Sequence, residues 1–120
     1  MEKISPRALE ALRVTFAEWA QQNRWHLGSL SEGVTDEELY PGENEPDWWE
    51  GKSTEEILPK ITSDPDSLAD EVHQIRFDVG RSEAAGFLTE YRNKLLSLGC
   101  EAGEIIRILN FIDTHSEHSH

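Results

Sequence analysis

Residues 64–80 read Asp-Pro-Asp-Ser-Leu-Ala-Asp-Glu-Val-His-Gln-Ile-Arg-Phe-Asp-Val-Gly, and this stretch decides the fold. Asp64-Pro65 is a helix-start pair, because a proline at the first helical position gives up no hydrogen bond. Leu68, Val72, Ile75 and Val79 then recur at three- and four-residue steps, which stacks them on one face of a helix. Gly80 closes the pattern. Nowhere does the chain show the period-two alternation of a half-buried strand, so the expected class is all-α.

The same logic extends outward. Ser5-Pro6 opens a first helix with Ser5 as its N-cap. Leu9, Leu12, Phe16 and Trp19 share a face that should run to about Trp25. Arg7, Glu10, Arg13, Glu18 and Gln21 fall off that face. Gly28 and Gly33 break the pattern. Thr35-Asp36-Glu37-Glu38 has capping-box spacing for one short turn that Pro41 stops. Ser53 to Glu56 has the same spacing and predicts a short helix through Ile57, Leu58 and Ile61, bent at Pro59. Ser82 should cap a helix through Ala84, Leu88, Tyr91, Leu95 and Leu98, with Gly99 as a left-handed stop. A last helix runs from about Glu101 to Asp113, and Leu95–Leu109 reads as a plain helical hairpin. The expectation is a small bundle of five or six helices, two of them short, with an irregular acidic Trp-containing loop in the middle. Residues 1–114 form one helical domain and residues 115–120 a flexible, His-containing tail.

The last helix is apolar on more than one side. Ile105, Ile108, Leu109 and Ile112 make one face, while Ile106 and Phe111 project away from it. Such a helix is buried centrally or shared with a second copy of the chain, so a homodimer through Ile106 and Phe111 is one expectation.

Size and composition bound the function. The chain has 120 residues, 37% of them hydrophobic and 29% charged, which predicts a modest core. Its single cysteine, Cys100, forms no internal disulfide. Without an apolar leader at Met1–Pro6 or a run long enough to span a membrane, a cytoplasmic protein is expected.

Charge carries the functional signal. The formal net charge is -13, yet residues 31–71 hold fourteen Asp and Glu against only Lys52 and Lys60, a local net of -12. Concentrated charge makes a field with a direction, which steers a basic partner to one face and repels nucleic acid and anionic membrane. The segment also carries Tyr40, Trp48 and Trp49, residues of the type that anchor interfaces. Residues 41–52 contain two prolines and two glycines, which forbid a continuous helix, but adjacent tryptophans suit an ordered loop with one or both rings packed. The expected partner surface is therefore Asp36, Glu37, Glu43, Glu45, Asp47 and Glu50 for charge, with Tyr40, Trp48 and Trp49 as anchors. The competing reading is a solvated acidic face whose tryptophans close the core.

Tyr40-Pro41-Gly42-Glu43-Asn44-Glu45-Pro46-Asp47-Trp48-Trp49-Glu50-Gly51 resembles the interface region of the colicin-type DNase immunity proteins. In that family a Tyr-Pro is followed by an acidic, Asn-containing turn and then by Glu-Gly opening a helix. These are small acidic four-helix proteins that bind and block a nuclease toxin. The chain departs from them in having Leu39-Tyr40 where the family has paired tyrosines, in its length, and in how much helix follows the motif. The resemblance implies that Tyr40 is an anchor and that Glu43, Asp47 and Glu50 are charge contacts.

Other chemistry finds little support. His115, His118 and His120 lie at the chain end near Asp113 and Glu117, where a frayed terminus preorganises no metal site. Glu43, Glu45 and Asp47 alternate like calcium ligands, with Glu50 after them, but Trp48 sits where an EF-hand loop needs glycine. The Gly99 turn has helix-turn-helix rhythm, but only Arg107 on the second helix could meet phosphate. Phosphate-loop, dinucleotide-loop and nucleophile-elbow motifs are absent, and Cys100 beside Glu101 and Glu104 reads as structural. No enzyme, cofactor or metal is expected. The leading expectation is a stoichiometric inhibitor of a basic protein, of the immunity-protein or nucleic-acid-mimic kind. The alternative is a helical adaptor or assembly subunit.

Overall fold

A computed structural model describes residues 4–23, 30–35 and 48–115, excepting the His115 side chain. Among those residues are five α-helices: α1 (Pro6–Asn23), α2 (Thr54–Ile57), α3 (Pro65–Asp78), α4 (Arg81–Ser97) and α5 (Ala102–His115). A 3-10 turn over Leu58–Lys60 continues α2. The chain is all-α, as the periodicity requires. Its one pairing of extended backbone among the described residues is a single antiparallel bridge between Ser31 and Ile61. The expected turn after Thr35, the end of α1 near Trp25 and the tail beyond His115 lie outside the described residues.

Local signals set the helix starts. Ser53 and Glu56 form a reciprocal capping box at α2. The Asp64 carboxylate accepts the Asp66 amide at 3.2 Å and the Ser67 hydroxyl at 2.9 Å, and Pro65 follows as the first helical residue of α3. The Ser5 carbonyl accepts the Leu9 amide at the start of α1. The Ser5 hydroxyl, however, donates to Glu104 on α5 at 3.2 Å, so this side chain serves tertiary contact.

Three helix details differ from the periodicity. Leu68, Val72 and Ile75 are buried, but Val79 is 48% exposed, because it lies beyond the last turn of α3 where the 3.6-residue repeat has ended. Gly80 (φ 138) occupies the cap position of α4, so that helix begins at Arg81 and Ser82 caps nothing. The buried face of α4 is Ala84, Phe87, Tyr91 and Leu95; Leu88 is only partly buried and Leu98, at the C-cap, is exposed. Phe87 meets Phe16 of α1 with ring centroids 4.5 Å apart and Trp19 edge-on at 6.1 Å. Gly99 (φ 83) supplies the left-handed stop.

The buried side chains form one cluster. α3 sits at its centre, packed against α1, α4 and α5, and α1 also packs on α4 and α2. α5 lies chiefly on α3, so α4 and α5 do not make the close hairpin that the Gly99 turn suggested. The His73 Nε2–H donates to the Ile112 carbonyl at 2.6 Å, and Arg76 pairs with Asp113 at 3.3 Å. Ile105, Ile108 and Ile112 of α5 are buried, and Leu109 and Phe111 pack partly buried against the core. Phe111 therefore does not project freely, whereas Ile106 is 58% exposed.

Candidate partner-binding surface

The acidic middle of the chain, the excursion over residues 32–60, is tied together at its two ends. At its base the Glu32 amide donates to the Lys60 carbonyl at 2.7 Å, and the Thr62 amide donates to the Leu30 carbonyl at 2.8 Å. Between these points, residues 32–60 carry ten Asp and Glu against Lys52 and Lys60. The two ends of this segment meet at one place, and the sequence between them carries most of the chain's excess negative charge.

α1 holds the returning limb. Gln21 Nε2 donates to the Lys52 carbonyl at 2.6 Å. Arg13 Nη2 donates to the carbonyls of Leu58 at 2.5 Å and Ile61 at 2.9 Å, and Arg13 Nε donates to Ile61 at 3.2 Å. Glu10 balances the guanidinium charge at 2.9 Å. The two donors stand eight residues apart on α1, roughly 12 Å along its axis, so they grip the limb at two separate points. Both lie off the apolar stripe of α1, and no pattern in the sequence marks a polar side chain that reaches a carbonyl 31 or more residues away.

The tryptophans face inward. Residues 48–51 form a turn that Gly51 (φ 78) permits. Trp48 is 7% exposed and Trp49 is 3% exposed. Trp48 Nε1 donates to Ser31 Oγ at 3.0 Å, and Lys52 Nζ lies 5.6 Å from the Trp48 ring centroid. The ring thus joins the two limbs of the excursion. Trp48 and Trp49 do not present themselves as interface anchors; they close the core, in line with the expectation of packed rings. The physical reason is area: an indole is the largest apolar surface a residue can bury, and a chain short of large hydrophobics uses it internally.

Of the expected charge contacts, Glu50 is exposed and makes no ion pair or hydrogen bond with the described residues. Asp36, Glu37, Tyr40, Glu43, Glu45 and Asp47 lie outside the described residues. Glu55 and Glu56 add exposed carboxylates on α2. The Ser53 amide and hydroxyl hold the Glu56 carboxyl below the usual carboxylate range. Glu71 is buried on α3 and is no part of this surface. Beside Glu50, the residues Gln21, Trp49, Gly51 and Lys52 complete the lining of an open cleft of about 310 Å³.

Away from the excursion, Cys100 is buried. The Tyr91 hydroxyl donates to the Ala8 carbonyl at 2.9 Å. Burial first, then the nearby Cys100 and Glu104 charges, push its ionisation well above the ordinary phenol range. Among the described residues no three His, Cys, Asp or Glu side chains gather as metal ligands, and no helix is long and apolar enough to cross a membrane.

Neither a family model, nor a curated protein, nor a solved structure matches the chain. The functional reading rests on its own residues.

Proposed function

We propose that this protein is a stoichiometric inhibitor that binds a basic protein, such as a nuclease toxin or a nucleic-acid-binding complex, through its acidic excursion. The observation that carries this reading is the closed excursion itself: ten carboxylates on a segment pinned at its base by the Leu30–Glu32 and Lys60–Thr62 pairing and backed by Arg13 and Gln21. Charge held on one framed segment complements a basic cleft and accelerates encounter, with strong salt dependence. The likeness of Tyr40–Gly51 to the immunity-protein interface supports the same reading. With Trp48 and Trp49 in the core, Tyr40 is the aromatic anchor of this surface and Asp36, Glu37, Glu43, Glu45, Asp47 and Glu50 supply its charge.

The test is capture of partners from source lysate at low salt, followed by elution with rising salt. A basic nuclease or nucleic-acid-binding protein released as salt rises supports the proposal. A captured partner that salt does not release overturns it.

A second reading, an adaptor that self-associates through α5, draws on the exposure of Ile106. It expects a concentration-dependent dimer in sedimentation that Ile106→Glu converts to a helical monomer. A native chain that stays monomeric at high concentration removes this reading.

A further inference from the structure

Phe77 is the most exposed large apolar side chain among the described residues, at 89%; no other exceeds 58%. It stands on the outer face of α3, whose inner face of Leu68, Ala69, Val72 and Ile75 is buried in the core. Asp70, Gln74 and Phe77 follow one another at four- and three-residue steps, so they share that outer face, and Asp78 comes next to them. All four are exposed. Gln74 Nε2 donates to Asp78 Oδ2 at 2.6 Å, which holds that carboxylate beside the outer row. At such exposure the ring contributes little to the fold, and alanine would favour the helix more.

The charge around the ring selects its occupant. Residues 64–81 carry five acids, Asp64, Asp66, Asp70, Glu71 and Asp78, against Arg76 and Arg81, a net of -3, or -2 without the buried Glu71. Arg76 is already paired with Asp113 of α5 at 3.3 Å. A second copy of the chain would bring this charge against itself, and nucleic acid or an anionic membrane would meet like charge. A neutral surface would cover the carboxylates without pairing them, at a cost for each ion that loses its water. A basic surface covers the ring and pairs the carboxylates together.

We propose that the outer face of α3 is a docking surface for a basic protein. Phe77 enters an apolar pocket of that protein, and Asp70 and Asp78 pair with lysine or arginine at the rim of the pocket. The inference rests on the inhibitor reading for the existence of a basic partner and adds to it a second contact face. That face follows directly on the excursion: α3 starts three residues after Thr62, where the ends of the excursion are tied. Phe77 lies about 18 Å further along the helix axis. The excursion governs encounter through its charge, and Phe77 governs the lifetime of the complex through burial.

The experiment immobilises the wild-type chain and Phe77→Ala side by side, captures protein from source lysate at low salt, and measures association and dissociation of the salt-released basic protein on each. Circular dichroism and the unfolding midpoint of Phe77→Ala are expected to match wild type, because the ring is already in water. The variant should release the basic protein about tenfold faster or more, with its association rate and salt dependence kept. Asp70→Asn with Asp78→Asn should slow association at low salt, and an unchanged rate there overturns the pairing. Equal dissociation from wild type and Phe77→Ala overturns the docking face and leaves the inhibitor reading standing. A wild-type dimer in sedimentation that Phe77→Ala abolishes also overturns it, since a second copy would then be the occupant. A captured partner that salt does not release, or the lack of any basic one, removes the inhibitor reading and this inference with it.

Discussion

Arg13 donates twice to the Ile61 carbonyl, from Nε at 3.2 Å and from Nη2 at 2.9 Å, and this fork joins α1 to the residue that follows the acidic excursion. Its Nη2 also serves the Leu58 carbonyl, so one planar cation orders the whole 3-10 turn. Arg13→Met is expected to cost about 1–3 kcal/mol, the range for losing hydrogen bonds to a charged group with carbonyls left behind. Arg13→Lys should rescue little, because an ammonium cannot make the fork. Urea unfolding gives the energy. Faster amide exchange at Glu32 and Thr62 would place the damage at the base of the excursion, and unchanged exchange there would refute the assignment.

Trp48 is a structural brace and should behave as one. Trp48→Phe keeps most of the packing but loses the hydrogen bond to Ser31, at an expected cost of about 1 kcal/mol. Trp48→Ala should cost about 3–5 kcal/mol, as for other large-to-small core changes. Thermal or urea unfolding separates the two outcomes. A surface anchor would change stability by no more than about 0.5 kcal/mol in either case.

Charge reversal isolates the electrostatic part of the proposal. With Glu43, Asp47 and Glu50 all replaced by Lys, helical circular dichroism and the unfolding midpoint should stay close to native, since Glu50 has no described contact to lose. Association with the captured basic partner should slow by about tenfold or more at low salt, with the difference shrinking as salt is raised. An unchanged association rate would end the acidic-inhibitor reading.

Tyr91 predicts an alkaline limit to stability. Its folded ionisation lies above that of the unfolded chain, chiefly through burial. The stabilisation is therefore complete below the unfolded phenol value of about 10, and it declines above that pH as the unfolded state releases its proton first. The wild-type unfolding free energy should fall above about pH 10, and Tyr91→Phe should flatten that part of the profile. At neutral pH the same variant loses the bond to the Ala8 carbonyl, at about 1 kcal/mol. Equal alkaline slopes for wild type and variant would refute the assignment.

What was legible in advance was local. The Ser53–Glu56 box, the Asp64-Pro65 start and the Gly99 stop each depend on groups no more than a few residues apart, and each stands in the structure. Legibility failed where an alternative was equally good locally. Leu88 and Phe87 both fit a helical face of α4, and only the rings of Phe16 and Trp19 select Phe87. At Ser82 the local preference for a serine cap lost to a glycine with positive φ two residues earlier, at Gly80.

By itself, the sequence determined that this chain is all-α and that its negative charge is gathered in the middle third. Helical periodicity and formal charge are properties of neighbouring residues and need no knowledge of what lies across the fold. Tertiary structure alone decided that Trp48 and Trp49 turn inward, that α5 rests on α3, and that Arg13 and Gln21 reach back to hold the excursion. Those contacts join residues 31 to 48 positions apart along α1 and the returning limb. Such pairs are chosen by which buried polar groups and apolar rings must be satisfied together, a condition that no single stretch of chain contains.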